Sequence, residues 1–298
     1  MKTVWVFPGQ GSQTPGMGAD LVNSEKFKQA SEVLGWSVAE VCQGSNGLLS
    51  RTDFTQPCLY VISAVLSDLL KEQGHHPDLV AGHSLGEYSA LYCAGAFDFL
   101  TGLRLVQQRS LLMSQVEGGK MVALMGYDRD KLEFLLSQRQ DVVIANDNSL
   151  DQVVISGLEQ GVAEVIAALQ PKRAIYLPVS GAFHSPFMAT AAAAFQEHLD
   201  RVTFADLSVP FLSNVAPQSP TTAGPLCHRY LVQQMTAPVR WRELCLHLQA
   251  LGCEQVIEVG AGKVLTGLIK RTVPGLKLVN ISDRQQVLQF SCVDVAAR

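Results

Sequence analysis

The chain has 298 residues, enough for one large domain or for one domain with an insert. Hydrophobic residues make up 47% of the sequence and charged residues 17%, so the chain can build a large core. Its formal net charge of −4 at pH 7 argues against a general nucleic-acid binder and against a protein of anionic membrane surfaces.

The cysteines and the apolar runs indicate the compartment. The seven cysteines are an odd number and include no C-x-x-C pair. This pattern predicts reduced thiols in a cytoplasmic protein, with no disulfide framework and no metal site. The apolar part of residues 1–7 is too short for a signal peptide, and no apolar run reaches membrane-spanning length.

Residues 3–7 form a short apolar run, which predicts a buried parallel strand. The glycine-rich loop 8–13 follows it. The spacing of its glycines does not fit G-x-G-x-x-G, so we expect no dinucleotide cofactor. In an α/β fold this loop lies at the carboxyl ends of the strands, where active sites form. Its backbone amides are candidate donors to an oxyanion.

Helices are predicted within residues 18–45, with a break near Gly35, and over residues 58–73. Gln56, in the sequence Thr55-Gln56-Pro57, lies at the start of the second of these helices. Its side chain is interpreted either as a capping amide or as a group that lines a pocket, and both interpretations stay open.

Residues 79–88 contain the strongest motif. They begin apolar, and Gly82-His83-Ser84-Leu85-Gly86 fits the G-x-S-x-G nucleophile elbow. A serine at such a strand-to-helix turn stands clear of the sheet, and the next backbone N–H can stabilise an oxyanion. We therefore predict Ser84 as a nucleophile and the Leu85 amide as a donor. The alternative is a tight turn with serine as the helix N-cap. His83 is interpreted as structural.

A further helix is predicted over residues 98–115, with Leu105, Leu112 and Val116 on one apolar stripe. Arg109 falls on the same stripe. An unpaired buried charge is very costly, so a guanidinium there needs an anion. The pattern favours either an internal ion pair, a side chain that reaches the surface, or a clamp for a substrate carboxylate.

The pattern of predicted strands and helices changes over residues 118–180. The order of predicted elements is β-α-β-β-α-β, which is the ferredoxin-like pattern. The two middle strands, 142–145 and 153–156, are separated by a predicted turn. We therefore expect a small inserted subdomain over residues 118–180 and a larger catalytic domain made of residues 1–117 and 181–298.

His184 lies in a loop of small residues, 180–186, and is the best general-base candidate among seven histidines. A packed or merely exposed loop histidine is the alternative. A helix over 189–199, strands over 210–215 and 255–259, and a helix over 264–271 follow, and no organisation is evident from residue 282. No Asp or Glu stands in a convincing motif to orient the histidine, so a carbonyl group is the candidate orienter.

Five separated segments resemble the malonyl-CoA:acyl carrier protein transacylases, including the discrete acyltransferases that serve polyketide synthases in trans. They are 7–13 (FPGQGSQ), 82–88 (GHSLGEY), 108–109 (QR), 181–185 (GAFHS) and 258–265 (EVGAGKVL). The resemblance runs from the N-terminus to about residue 271. It implies an α/β hydrolase-like core with a parallel sheet and an inserted ferredoxin-like subdomain, in agreement with the division given above.

The resemblance also implies roles for single residues. Ser84 would be acylated and His184 would be its base. Arg109 would bind the free carboxylate of malonyl. The remaining implied roles are oxyanion amides at Gln10 and Leu85, a pocket glutamine at Gln56, and a main-chain carbonyl that orients the histidine at Gln234. We further expect Phe183, beside the histidine, to narrow the pocket near the malonyl α-carbon.

The implied activity is ping-pong transfer of malonyl from CoA to the phosphopantetheine thiol of an acyl carrier protein. No cofactor is expected, since malonyl-CoA is a substrate and the partner carries the phosphopantetheine. The expected partners are malonyl-CoA and carrier proteins, with no nucleic acid and no membrane, and the chain is expected to be a monomer. Fatty acid and polyketide biosynthesis both stay open.

Three alternatives remain at the level of sequence. The first is a hydrolase on the same scaffold that removes acyl groups from carrier proteins, but such a site has no use for the cation of Arg109. The second is a general esterase or lipase, whose acidic triad member is not visible here. The third is a non-catalytic subunit that docks carrier proteins. The presence of Ser84, His184 and Arg109 together argues against it.

Overall fold

The structure is a computed structural model that describes residues 1–45 and 47–296. Its larger sheet has five strands, all parallel, in the order β7-β2-β1-β8-β9. The strands are β1 (Thr3–Phe7), β2 (Leu79–Gly82), β7 (Phe211–Leu212), β8 (Gln255–Val259) and β9 (Lys277–Ile281). Because all five run the same way, the loops after β1, β2, β7 and β8 meet at one edge of the sheet.

Helices cover both faces of this sheet. Those before the small sheet are α1 (Glu25–Leu34), α2 (Val38–Gln43), α3 (Thr52–Glu72), α4 (Gly86–Ala94) and α5 (Phe99–Ser114). Those after it are α8 (Ala189–Leu199), α9 (Gly224–Gln234), α10 (Trp241–Ala250), α11 (Val264–Thr272) and α12 (Arg284–Ala296). Single turns of 3₁₀ helix lie at Leu48–Ser50 and Pro186–Met188.

The core lies on both sides of β1. Trp5 and Phe7 belong to one buried cluster, and Val4 and Val6 belong to a second one on the opposite face. Side chains alternate across a strand, so a strand buried on both faces must be apolar at every position. This explains the continuous apolar run at the start of the sequence.

The second sheet lies within residues 119–176. It contains β3 (Gly119–Met125), β4 (Val142–Ser149), β5 (Gln152–Leu158) and β6 (Arg173–Tyr176), with α6 (Arg129–Ser137) and α7 (Glu159–Leu169) between them. The order is β4-β5-β3-β6 and all neighbours are antiparallel, which is the ferredoxin-like arrangement. The predicted fold is confirmed, and the boundary residues 118 and 180 stay a prediction.

One face of the small sheet packs on α6 and α7 through a core of its own. The other face turns towards the larger domain. There Met121, Ala123 and Val154 join the main buried cluster. The small sheet is therefore an additional wall of the main core.

The end of β4 joins the two units. The backbone N–H of Asp147 donates to the Val239 carbonyl (2.9 Å), and that of Val239 donates to the Ala145 carbonyl (2.8 Å). The buried carboxylate of Asp147 pairs with Arg129 of α6 (2.9 Å) and with Arg242 of α10 (3.0 Å). Asp147 therefore pairs with one arginine of the small subdomain and with one arginine of the larger domain.

Two sequence-based boundaries were wrong. Helix α3 begins at Thr52, six residues before its predicted start, and contains Pro57. Proline costs a helix about 3 kcal/mol, and the burial of most of this 21-residue helix exceeds that cost. The predicted turn after residue 145 is mostly strand. Two irregularities, at 144/146 and 147/149, let β4 continue with buried polar residues.

Three other differences concern the second half of the chain. Strand β7 has two residues, where the sequence predicted six. No sequence pattern predicts α9, α10 or β9, and the stretch from residue 282, where no organisation is evident in the sequence, contains α12. No helix in the described parts of the chain is both long and apolar enough to cross a membrane.

The Asp147 junction predicts a large stability effect. Replacing Asp147 by Asn removes the buried carboxylate that Arg129 and Arg242 share, so we expect the free energy of unfolding to fall by about 3 kcal/mol. Urea denaturation would measure it. Glu164→Gln is the control, since it breaks the exposed pair of Glu164 with Arg139 (3.0 Å) and should change stability far less. Equal effects in the two variants would contradict the structural role of Asp147.

Candidate active site

Ser84 stands on a turn that only glycines at both flanks allow. A Cβ at Gly82 would lie 1.9 Å from the carbonyl carbon of Gly86, and a Cβ at Gly86 would lie 2.0 Å from the carbonyl oxygen of Phe7. The strand, the helix and the neighbouring strand therefore approach more closely than any side chain permits. Ser84 itself has φ of +51°, a left-handed conformation that is costly for serine.

Two hydrogen bonds hold the backbone of Ser84 in this conformation. Asn214, just after β7, accepts from the Ser84 N–H through Oδ1 (2.8 Å) and donates to the Gly82 carbonyl through Nδ2 (2.7 Å). The Ser84 carbonyl accepts from Nε2 of Gln234 (2.9 Å). The sequence analysis did not identify Asn214, because it lies 130 residues away and belongs to no motif.

His184 is placed as a general base for Ser84. The Ser84 Oγ donates to Nε2 of His184 at 2.8 Å. Nδ1 of His184 donates to the carbonyl oxygens of Gln234 (3.0 Å) and Ala237 (3.1 Å). Two carbonyl acceptors fix the proton on Nδ1 and leave Nε2 free to accept, which is the tautomer that a base needs. His184 also has a positive φ, +54°.

The electrostatic setting keeps this imidazole neutral. Burial, together with the charge of nearby Arg109, lowers the pKa of His184 from 6.5 to about 3. The buried acid in this region is Glu87, and its carboxylate bonds to Asn214 and Gln234 and not to the imidazole. Burial raises the pKa of Glu87 to about 7, partly offset by these hydrogen bonds. The predicted carbonyl orienter of His184 is therefore present, with no acid in that place.

Arg109 is completely buried, and neutral oxygens hold it. Its Nη1 donates to Oε1 of Gln56 (2.7 Å), and its Nη2 donates to Oε1 of Gln234 (3.0 Å) and to Oγ of Ser84 (3.0 Å). The guanidinium carbon lies 5.5 Å from the centre of the Tyr88 ring. Within the described residues Arg109 makes no ion pair, since its acceptors are all neutral oxygens, and its Nε–H has no partner there. Full burial rules out a side chain that reaches the surface.

Gln56 lies inside α3 and does not cap its start. Its Nε2 donates to Oε1 of Gln10 (3.4 Å), whose Nε2 in turn donates to Oγ1 of Thr52 (3.1 Å). Gln10 and Gln56 therefore belong to one series of hydrogen bonds that runs from Thr52 to Arg109. Of the two interpretations of Gln56, the structure supports the pocket amide.

The two candidate oxyanion donors lie on either side of the serine. Gln10 follows β1 and Leu85 follows the nucleophile, and both line the same cavity. The hydrogen bonds of the described residues include no acceptor for either backbone N–H. A pair of unused amides next to a nucleophile is the arrangement that an oxyanion hole requires.

Ser84, His184, Gln56 and the two candidate oxyanion residues line one cavity of about 310 Å³ between the two sheets. Arg109 does not line this cavity itself and is linked to it through its hydrogen bonds to Ser84 and Gln56. Phe183 and residues of the small sheet, Met121, Ala123 and Val154, form an apolar part of its wall. Asn146 and Asn148 of β4 also line it, in the stretch where the sequence predicted a turn. His83 bonds through Nε2 to Oδ1 of Asn148 (2.8 Å), so this histidine connects the elbow to the small sheet.

All eight predicted site residues therefore lie around one cavity or its hydrogen-bond network. Among the described residues no group of three or more His, Cys, Asp or Glu is arranged to hold a metal ion. The network residues that the sequence analysis did not single out are Glu87, Asn214, Asn146 and Asn148. Glu87 was part of the elbow motif, and the available sequence signal was that it is the one charged residue of the helix GEYSALYCA.

Comparisons with known proteins agree with this arrangement. The chain matches the family described as the acyl transferase domain over residues 4–286. It is 56% identical to the malonyl CoA-acyl carrier protein transacylase of Synechocystis sp., over 94% of this chain and 97% of the relative. The crystal structure of a Synechocystis malonyl-CoA:ACP transacylase superposes with a TM-score of 0.95 at 54% identity, covering 97% of this chain and 100% of the other.

A second similar structure is a complex. It contains a type II polyketide synthase acyl-carrier protein with its malonyl-transacylase, and it superposes with a TM-score of 0.91 at 36% identity. The match covers 97% of this chain and 98% of that chain.

The protonation state of His184 is directly testable. We expect its imidazole to stay neutral with the proton on Nδ1 between about pH 8 and pH 5, because its pKa lies far below the ordinary histidine range. Nitrogen-15 NMR of histidine-labelled protein would show this, with the His184 signals assigned from the His184→Ala variant. The urea-unfolded protein is the reference. A His184 titration at the unfolded value would contradict the assignment.

Proposed function

The chain belongs to the acyl transferase domain family, and we propose that it is a malonyl-CoA:acyl carrier protein S-malonyltransferase. The observation that carries this proposal is the placement of a buried guanidinium, which pairs with no acid among the described residues, 3.0 Å from the Oγ of an activated serine. A site built in this way favours an acyl group with a carboxylate at its far end. The complex among the similar structures supports a carrier protein as the acceptor.

Acylation begins when the thioester carbonyl of malonyl-CoA meets Ser84. The Ser84 proton passes to Nε2 of His184 as Oγ bonds to the carbonyl carbon. The negative oxygen that forms is stabilised by the N–H groups of Gln10 and Leu85. The carbon–sulfur bond then breaks, and the CoA sulfur leaves with the proton from His184. The products are free CoA and a malonyl ester on Ser84.

Deacylation reverses these steps with a different thiol. The phosphopantetheine thiol of the carrier protein gives its proton to His184 and attacks the ester carbon. The same two amides stabilise the second tetrahedral intermediate. Ser84 leaves as its Oγ takes the proton back, and malonyl remains as a thioester on the carrier. One imidazole with a lowered pKa serves as base and acid in both halves.

Arg109 provides the selection. A malonyl carboxylate can accept two hydrogen bonds from a guanidinium fork, whereas an acetyl group leaves that charge without an anion. Because Arg109 is fully buried, water cannot replace the missing partner at low cost. Phe183 is proposed to limit the space near the α-carbon, so that malonyl is used in preference to methylmalonyl.

The proposed cytoplasmic location is supported by the thiols. The six cysteines within the described side chains are free and buried, as expected where disulfides do not form. Malonyl transfer serves fatty acid and polyketide synthesis by the same chemistry, so the site geometry is common to both.

The covalent step predicts a defined mass change. Intact-protein mass spectrometry after mixing with malonyl-CoA should show one added malonyl group, and addition of a phosphopantetheinylated carrier protein should remove it and malonylate the carrier. Ser84→Ala should show neither event. Retained malonyl transfer by Ser84→Ala would refute the proposed nucleophile. Rapid loss of the malonyl group without a carrier would instead indicate a hydrolase.

Removal of the cation predicts a change in selectivity. Arg109→Ala should lower kcat/KM for malonyl-CoA by about 100-fold or more, because a buried charge pair contributes about 3 kcal/mol or more. The value for acetyl-CoA should fall far less. Arg104→Ala, at an exposed position on the same helix, is the control and should preserve both values. Parallel losses for both substrates in Arg109→Ala would contradict the clamp.

A further inference from the structure

Glu87 is a buried acid that the mechanism does not use. It is the second residue of α4, directly below the elbow, and its side chain is completely buried. No lysine or arginine pairs with it among the described residues. Its two oxygens instead accept hydrogen bonds from two other elements: Oε1 from the backbone N–H of Asn214 (2.5 Å) and Oε2 from Nε2 of Gln234.

The hydrogen bond between Glu87 and Gln234 decides which way the carboxamide of Gln234 faces. Nε2 of Gln234 donates to Glu87 and to the Ser84 carbonyl, while Oε1 accepts from Arg109. In the reversed orientation the NH₂ group would face the guanidinium, and Oε1 would face two other oxygens. Above its pKa of about 7 Glu87 is a carboxylate, which can only accept, so the ionised form permits one orientation of this amide.

The bond to Asn214 acts on the other side of the serine. Asn214 binds the Ser84 N–H through its side chain while its own N–H is held by Glu87. Through Gln234, Glu87 also acts on the Ser84 carbonyl. Both backbone groups of the strained nucleophile are thus tied to the same acid.

We propose that Glu87 is a positioning residue, which holds the Gln234 carboxamide with its oxygen towards Arg109 and thereby aims the guanidinium at the acyl carboxylate. This inference rests on the malonyl transfer proposed above. Glu87 touches neither the acyl group nor the reacting atoms. It acts through Gln234, and the measurable consequence is selectivity between acid-tailed and neutral acyl groups.

The carboxamide of Gln234 lies between Glu87 and Arg109 and hydrogen-bonds to both, so the acid and the cation do not pair directly. A direct ion pair would neutralise the guanidinium and remove its use for substrate. With Gln234 in between, the acid orients the cation and leaves its remaining N–H groups for another anion. An uncharged residue at position 87 would fill the same space without imposing this orientation.

The test is Glu87→Gln, which keeps size and removes the obligatory acceptor. A glutamine that still accepts from the Asn214 N–H presents its NH₂ group to the NH₂ group of Gln234, and the Gln234 amide must turn or move. We expect the ratio of kcat/KM for malonyl-CoA to that for acetyl-CoA to fall about tenfold or more, the usual effect of losing a hydrogen bond to a charged group. The acetyl-CoA value should change much less.

Glu258→Gln is the matched control. Glu258 is also buried, and it accepts from the N–H groups of Leu265 and Thr266 at the start of α11 (3.0 and 2.7 Å). Its replacement should lower stability and leave the substrate ratio unchanged. An equal drop of both kcat/KM values in Glu87→Gln, in proportion to lost folded protein, would overturn the inference and assign Glu87 a purely structural role.

Gln234→Met provides a second measurement if Glu87→Gln fails to fold. It removes the carboxamide and keeps the main-chain carbonyl that orients His184, so the substrate ratio should again fall. The double variant should lose no more than the single ones, since both act on one contact. An unchanged ratio in Gln234→Met would overturn the inference. If the wild-type protein forms no malonyl ester, the proposed function itself fails.

Discussion

The site depends on one buried cation held by neutral oxygens. A guanidinium away from water is very costly unless it is paired, and proteins usually provide a carboxylate. Here Arg109 has carboxamide and hydroxyl partners, which partly solvate the charge and do not cancel it. The free enzyme thus keeps an unneutralised positive charge next to its nucleophile. A substrate that brings its own carboxylate completes the pair, and the free energy of that pairing becomes selectivity.

Carboxamide groups can hold Arg109 without neutralising it, because each one can both accept and donate hydrogen bonds. Gln10, Gln56 and Gln234 come from a loop after β1, from α3 and from the end of α9. Each uses its oxygen towards the next donor and its NH₂ group towards an acceptor, so the direction of the whole chain is fixed from its ends. The side chain of Gln234 faces Arg109 while its main-chain carbonyl faces His184. One residue therefore connects the selection of the acyl group to the base.

The strained backbone of Ser84 and His184 and the enclosure of the cavity both follow from the way the two sheets meet. The nucleophile and its base have φ of +51° and +54°, and both are kept there by hydrogen bonds from distant segments. Apolar side chains of the small sheet line the cavity at the carboxyl edge of the large sheet. Burial in this enclosure strengthens the attraction between Arg109 and an anion, and it also lowers the pKa of His184. The same enclosure therefore serves acid recognition and keeps the imidazole of His184 unprotonated, so that it can accept a proton.

Local sequence patterns determined four of the five strands of the large sheet (all but β9), the elbow, the β-α-β-β-α-β order of the insert and the candidates Ser84, Arg109 and His184. These features depend on near neighbours in the chain: alternating burial, glycines that allow close approach, and helical periodicity. The partners of those residues were decided only by tertiary structure. Arg109 meets an amide and not an acid because Gln234, 125 residues away in the chain, lies beside it. Likewise, Glu87 accepts a hydrogen bond from Asn214, which is 127 residues away in the chain. Hydrogen bonds between such distant residues leave no local periodicity, so only the folded chain shows which polar side chains meet.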